Sequence, residues 1–475
     1  MTVVLALVLL LRSSLDFRIS SSPDLAIDEA PTANLKDIVI LNSIEKLQLQ
    51  LPKQTVLSLS LESRNQLPPR NLDRFPNLAK DHIKIVLYVH NRPQYLQVVV
   101  ESLSKVEGIG ETQLIVSHDG YFEEMDRIIQ GIRFCQVKQL FAPYSPHLFP
   151  DSFPGVSPGD CIGKDNPSVK KCKGNADQYG NHRSPKIVSL KHHWWWMMNT
   201  VWDGLEDTRG HSGHLLFVEE DHFIFPNAYR NIQILTNLKP LKCPDCYAVN
   251  LAPSDVNSKG EYWESLVAEK MGNIGYAFNR TVWRKIHAKA REFCNFDDYN
   301  WDITMWSMVY PSFRTPVRTL RGPRRSAAHF GKCGLHQGQG KENNCIDNGA
   351  VNVEMDEIDR IPNIKLEWNV QVLNVAGGYK AGHKGWGGWG DDRDRELCMN
   401  FARMYHIVNN SNLILATLNF FNITDIVTVA RDRYNIEIID YDEKKNTVTL
   451  TDLFCPHLLV KKLYCKACKV ILESA

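Results

Sequence analysis

The chain has 475 residues, more than one ordinary domain uses, and 43% hydrophobic against 23% charged residues is globular composition that excludes a disordered or collagen-like chain. Its 55 lysines and arginines are nearly cancelled by 54 acidic residues, leaving +1, so no whole-chain field draws it to polyphosphate. A nucleic-acid partner would need a local basic patch, and the densest basic stretch, residues 318–325, holds only four arginines.

In chain order, residues 1–11 come first and are apolar except for Thr2. Such a run resembles a secretory h-region, although it lacks a basic n-region and falls short of the roughly 20 residues that span a bilayer. It reads as a signal, or as the end of a signal anchor, over residues 1–19, and places the rest of the chain in a secretory lumen. Residues 20–80 are rich in Pro, Asn, Ser and Leu, with one predicted helix at 35–51, and read as a stem. At residue 85 the character changes. An apolar run over 85–89 predicts a strand, Pro93 opens a helical pattern through Leu96, Val99, Val100 and Leu103, and 114–116 predicts a second strand ending in Ser117-His118-Asp119. Strand, helix and strand at this spacing make a βαβ unit on a parallel sheet. A helix over 123–132 and a strand over 137–141 follow. Residues 142–183 are loop, heavy in Pro, Gly, Asp and Asn, which a Cys161–Cys172 bridge would staple. The pattern over 184–205 predicts a helix opened by Ser184-Pro185, and a strand over 215–218 runs into Glu219-Glu220-Asp221-His222.

Three acids and a histidine at the end of a buried strand have a direct use. Oxygen ligands on a rigid strand end suit Mg²⁺ or Mn²⁺ and, through the ion, phosphates; the alternative is a solvated acidic loop. Two further predicted strand ends, Tyr88-Val89-His90-Asn91-Arg92-Pro93 and Ser117-His118-Asp119, would converge on the same crevice, where open α/β sheets bind ligands. There His90, Asn91 and Arg92 could contact a base and a diphosphate, and Asp119 a ribose or uracil edge.

These motifs, together with Lys191-His192-His193-Trp194-Trp195-Trp196, Asp297-Asp298-Tyr299-Asn300-Trp301-Asp302 and Gly388-Trp389-Gly390-Asp391, resemble the N-acetylglucosaminyltransferase II family over about residues 84–399. The resemblance implies an α/β catalytic domain of GT-A type at 81–400, with a mostly parallel central sheet flanked by helices. It also implies UDP-N-acetylglucosamine as donor, Mn²⁺ as cofactor, and inversion. The implied acceptor is the α1,6-arm mannose of an N-glycan on a glycoprotein, in the Golgi lumen with the N-terminal segment at the membrane, and the implied product linkage is β1,2. Carried over by position, Asp221 and His329 are metal ligands and Asp302 the general base. Tyr88, Val89, His90, Asn91, Arg92, Asp119, Lys191, His192 and His193 match donor-binding positions. The chain departs from the family at His329-Phe330-Gly331 and at Ser189, without losing a metal-binding or proton-transferring group.

The chemistry also follows from the residues. Direct displacement at a sugar carbon needs one base on the face opposite the leaving group, and one base without a second carboxylate means inversion. Asp302 is the best candidate, Asp297 and Asp298 come next, and a helix-capping role for Asp302 is the competing reading. Three successive tryptophans, 194–196, cannot all point inward on a helix with one buried face, which predicts at least one in the crevice. Trp386 and Trp389, among glycines, suit a loop that closes over the donor, or a structural turn.

Twelve cysteines fit an oxidising lumen. Cys243-Pro244-Asp245-Cys246 has no second CxxC near it, which favours a disulfide over zinc. The expected pairs are Cys161–Cys172, Cys243–Cys246, Cys333–Cys345 and Cys294–Cys398, with Cys135 free. Sequons stand at Asn279, Asn409 and Asn422. Residues 401–475, with a hairpin-like stretch at 436–450 and Cys455, Cys465 and Cys468, form an extension of unknown role. Three competing readings are another β1,2-N-acetylglucosaminyltransferase such as type I, a noncatalytic luminal carbohydrate-binding protein, and a cytosolic zinc protein with free thiols.

Overall fold

The computed structural model describes residues 53–405, except position 80, parts of 256–263, and 334–344, 348–356, 375–384 and 386. It also describes an antiparallel hairpin of Ile438–Asp442 and Thr447–Leu450, within the stretch at 436–450 read from sequence as hairpin-like. The apolar start, the helix predicted at 35–51, Trp386, the sequons at 409 and 422 and the last three cysteines lie outside the described residues. Two compact units divide the chain, Arg64–Ala402 and the remainder, Met1–Ser63 with Arg403–Ala475. Among the described residues no helix is long and apolar enough to cross a membrane.

Helix α1, Lys53–Asn65, precedes the sheet and is not evident from the sequence pattern. Four parallel strands then form the heart of the Arg64–Ala402 unit: β1 Lys84–Val89, β2 Gln113–His118, β3 Gln136–Phe141 and β4 His214–Glu219. Every residue of β1 and β2 is buried, as expected of parallel strands covered on both faces, which read as continuous apolar runs rather than alternation. Helix α2, Pro93–Ser104, makes the first crossover. Pro93 sits where a missing N–H costs nothing, and Tyr95, Leu96, Val99 and Leu103 bury one helical stripe. Helix α3, Glu123–Gln130, makes the second crossover.

The other strands are β5 His222–Ile224, β6 Ala248–Asn250, β7 Leu266–Lys270, β8 Tyr276–Asn279, β9 Arg318–Arg321, β10 Ala327–His329 and β11 Val370–Val372. The main sheet runs β11-β7-β9-β6-β8-β4-β1-β2-β3 and is mostly parallel, with β8 antiparallel to both its neighbours and β7 antiparallel to β9. This is the expected α/β class. Residues 64–79, read from sequence as the end of a stem, instead pack on the sheet edge: Arg70 bridges Val137 and Arg64 pairs with Asp126. Short polar stretches carry no periodicity, so only the pairing partners reveal them.

Helix α4, Pro185–Asn199, is buried on all sides from Val188 onward except at Leu190 and ends in a wider turn, Thr200–Gly204. Trp194, Trp195 and Trp196 are therefore all inside, at 1%, 0% and 2% exposure, and none opens on the crevice. The expectation of one exposed indole assumed a helix with a solvent side. Helix α5 is Ala228–Lys242, helix α6 is Arg280–His287, and helix α7, Asp392–Arg403, closes the unit. All four expected disulfides are present and Cys135 is free and buried. Cys294–Cys398 spans 104 residues and ties α7 to the core; a crosslink of that reach removes about 4–5 kcal/mol of unfolded-state entropy.

Candidate functional site

Register brings the predicted strand ends together. Tyr88 lies beside Ser117 on β2 and beside Glu219 on β4, so the chain leaves all three strands on one side of the sheet. From β4 the chain turns through Glu220 and Asp221 into β5, and β5 pairs with β10 so that His222 faces His329. That short ladder joins residues more than a hundred positions apart. The Phe330 amide donates to the Asp221 carbonyl at 3.0 Å, and His329 Nε2 stands 3.5 Å from Asp221 Oδ2.

Each acid of the triplet has a separate job. Glu220 is fully buried and accepts from the His90 amide at 2.9 Å and from Arg92 Nε at 2.6 Å. It holds the loop after β1 against the end of β4. Arg92 reaches Asp221 Oδ2 through Nη1 at 3.1 Å, so its guanidinium is committed to two carboxylates, and the end of its side chain also lies over the Tyr95 ring. Burial opposes ionisation of Asp221, but Arg92 and then His329 outweigh it and hold the carboxyl far below its ordinary range. Asp221 Oδ1 is buried with no hydrogen-bond partner. For His329, burial resists protonation and Asp221 overcomes it, raising the pKa. Glu219 behaves oppositely: burial, then the charges of Asp221 and Asp302, push its pKa well up. Both carboxyls thus act on Glu219, which puts them around one region. The Glu219 amide donates to His222 Nδ1 at 3.1 Å, leaving the imidazole proton on Nε2.

A second cluster forms at the end of β2. Asp119 is 1% exposed; Oδ2 pairs with His90 Nδ1 at 3.1 Å and lies 3.6 Å from His147 Nε2, while Oδ1 accepts from Ser145 at 2.8 Å. Burial raises its pKa, but the bonds from His147 and His90 bring it well below normal. His193 bonds to Ser117 through Nε2 at 2.8 Å and meets the His90 ring edge-on at 5.2 Å. Burial drives the His193 pKa down to about 3, so its imidazole is neutral. Asp119, His90 and His193 therefore form one polar wall. Tyr88 and Val89 are buried in the strand and Asn91 is exposed beside it.

Lys191 and His192 match donor-binding positions by sequence, and the structure encloses both in protein. Lys191 is fully buried and donates to the carbonyls of Phe296 and Asp298, both at 2.9 Å, with Trp389 and Phe293 against its amine. Burial lowers its pKa well below lysine's usual value. His192 bonds to Asp394 through Nε2 at 2.8 Å. Both residues point into protein because α4 is enclosed from Val188 onward, Leu190 aside. Trp389 is likewise 0% exposed, bonded through Nε1 to the Cys294 carbonyl, so of its two readings the structural turn holds. Gly390 must lack a side chain, since a Cβ there would meet Asp394 Oδ2 at 2.1 Å.

Asp302 stands in the first turn of a short helix, Trp301–Thr304. Its Oδ1 accepts from the Ile303 amide at 2.8 Å, leaving Oδ2 for another partner. Burial raises its pKa, which suits a group that takes up a proton. Trp301 stacks on Trp194 at 4.6 Å and meets Tyr88 edge-on, fixing that turn against α4 and β1. Sequence reasoning missed Ser145 and His147 as site residues, and read Glu219 only as one of three acids suited to a metal. The first two follow the third strand end in a loop with a Tyr-Ser-Pro-His stretch, a signal that position alone could have flagged.

A family model described as N-acetylglucosaminyltransferase II (MGAT2) matches residues 59–398. An Arabidopsis thaliana protein named alpha-1,6-mannosyl-glycoprotein 2-beta-N-acetylglucosaminyltransferase is 68% identical over 363 residues, covering 76% of this chain and 84% of its own. The Homo sapiens protein of the same name is 32% identical over 358 residues, covering 70% and 76%. Among solved structures, S. aureus TarS aligns with a TM-score of 0.23 at 11% identity over 76% of this chain and 46% of its own, too slight a likeness to bear on function.

Proposed function

This chain belongs to the N-acetylglucosaminyltransferase II family of glycosyltransferases, and from that premise we propose that it transfers N-acetylglucosamine from UDP-N-acetylglucosamine to the 2-hydroxyl of the α1,6-arm mannose of an N-glycan, forming a β1,2 linkage with inversion. The observation that carries the reading is the meeting of Asp221 and His329 at the strand ends, with no hydrogen bond to Asp221 Oδ1, near the turn that carries Asp302 and that Trp301 sets against Tyr88, the register partner of Glu219. A carboxylate and an imidazole are a donor set that Mn²⁺ accepts, so Asp221 and His329 would hold it. When bound, the ion supplies positive charge to the leaving diphosphate.

The protein's own groups do the rest. Asp119, His90 and His193 form a polar wall for the nucleobase end of the donor. Arg92 and His329 keep Asp221 ionised, and Glu220 holds Arg92 in place beside it. Asp302 takes the proton of the mannose 2-hydroxyl as that oxygen bonds to C1 of the sugar; the C1–O bond to the diphosphate breaks on the opposite face, and UDP leaves with the electron pair. A Golgi lumen is the setting we propose, anchored by the N-terminal segment. Four disulfides support it, because such bonds persist in oxidising compartments.

The test is incubation of the purified chain with UDP-N-acetylglucosamine, Mn²⁺ and a panel of defined N-glycans. Transfer is expected to the α1,6-arm mannose of a glycan already bearing N-acetylglucosamine on its α1,3 arm. Transfer to no glycan would refute the reading, and transfer to the α1,3 arm would replace it with a type I activity.

A further inference from the structure

We propose that Lys191 is a positioning residue for the catalytic turn rather than a donor contact, a proposal that rests on the reading of Asp302 as the base. The segment that delivers Asp302, residues 296–300, has no regular structure, yet its carbonyls are systematically taken. Phe296 O receives Lys191 Nζ and the Asp298 amide, each at 2.9 Å. Asp298 O receives Lys191 Nζ at 2.9 Å and the Thr304 hydroxyl at 3.4 Å. The same hydroxyl reaches Asn300 O at 2.8 Å, and the Asp298 carboxylate receives the Asn300 amide and side chain. On the other side, the Asp297 carbonyl takes the Gly387 amide at 2.9 Å, and a Cβ on Gly385 would lie 2.3 Å from that carbonyl oxygen.

Lys191 joins this segment to α4 by hydrogen bonds, beside the stack of Trp301 on Trp194. It is fully buried, so its two carbonyl bonds are made without competition from water, and Trp389 lies 4.2 Å from the nitrogen. The lowered pKa agrees with a group used for hydrogen bonding to carbonyls, which even a neutral amine with two N–H bonds can satisfy. Without Lys191, two buried carbonyls each lose one partner, and the 296–300 segment that leads to Asp302 is held less tightly. A base displaced by about 1 Å can lose on the order of a hundredfold in rate, because the reacting atoms no longer meet in line. Donor affinity should be untouched, since no bond of Lys191 leads to Asp119, Asp221 or Arg92.

The experiment compares Lys191→Met, Thr304→Val and Asp302→Asn in the full chain, measuring folded fraction, UDP affinity with Mn²⁺ by calorimetry, and kcat and KM per folded molecule. Thr304→Val removes a second peg of the same segment at nearly constant volume, and it decides the matter if Lys191→Met does not fold. The expected result is a kcat at least tenfold lower in Lys191→Met and several-fold lower in Thr304→Val, with UDP affinity within twofold of the parent in both. A tenfold loss of UDP affinity in Lys191→Met with kcat preserved at saturation would overturn the proposal and restore the donor role. Unchanged kcat in the folded variants would overturn it too, leaving a purely structural lysine. Retained transfer by Asp302→Asn would instead remove the base reading on which the proposal stands, so the two failures are distinguishable.

Discussion

Replacing Asp394 with alanine is predicted to destabilise the Arg64–Ala402 unit by about 3–5 kcal/mol, the usual consequence of stripping one partner from a buried ion pair. The carboxylate is fully buried and accepts from Arg183 Nε at 2.5 Å, Arg183 Nη2 at 2.9 Å, His192 Nε2 at 2.8 Å and the Asp391 amide at 3.2 Å. The Arg183 side chain is only 7% exposed and would keep the carbonyls of Pro154 and Gly155 and the Phe153 ring, with no counter-charge among them. A guanidinium left so, inside the protein, cannot recover its lost partner from water. The contrast is Lys105–Glu101, with side chains 56% and 70% exposed, whose loss should cost about 0–1 kcal/mol.

The pH dependence has a definite sign. Burial raises the Asp394 pKa, but His192 and Arg183 outweigh it and the net shift is downward. Its contribution is therefore complete above the unfolded value of about 3.9 and is lost as pH falls through the folded one. His192 is also lowered, chiefly by burial, so folding favours its neutral form and stability falls as pH drops below about 6.5. Denaturant unfolding followed by tryptophan fluorescence, with disulfides intact, measures both effects. At pH 7 the variant should show the full loss, and below about pH 4 its deficit should shrink. A loss under about 1 kcal/mol at pH 7 would refute the buried-pair argument.

Asp302→Asn should keep UDP binding and thermal stability while kcat falls by about 10² to 10⁴, the range for losing a general base; transfer within a few-fold of the parent would move the base elsewhere. Because burial raises the Asp302 pKa, the parent's kcat should decline on acidification at a pH above that of an ordinary carboxylate, and a limb at or below about 3.9 would contradict the assignment. Asp221→Ala should abolish Mn²⁺-dependent enhancement of UDP binding without unfolding the chain, as calorimetry with and without the ion would show. Peptide mapping without reduction should recover the four disulfides, and Cys135, whose thiol burial pushes up to about 12, should resist alkylation in the native state. Rapid native labelling of Cys135 would contradict its burial.

What could be read from sequence was whatever local order encodes. Continuous apolar runs at 85–89 and 215–218 announce strands buried on both faces, Pro93 and Ser184-Pro185 announce helix starts, and polar clusters directly after the strands announce the crevice. The close cysteine pairs, such as Cys161–Cys172 and Cys333–Cys345, were legible because chain proximity makes their closure easy. Tertiary structure decided where each side chain points. Arg92 turned out to face Glu220 and Asp221, because β1 and β4 are register partners, and His329 reached Asp221 through the β5–β10 ladder. Lys191, His192 and the three tryptophans went inward because α4 is enclosed, which its sequence of mixed charged and aromatic residues does not announce. A local pattern specifies which backbone forms; the direction of a polar group depends on what the rest of the chain packs around it, since burial makes an unpaired polar atom too costly to keep.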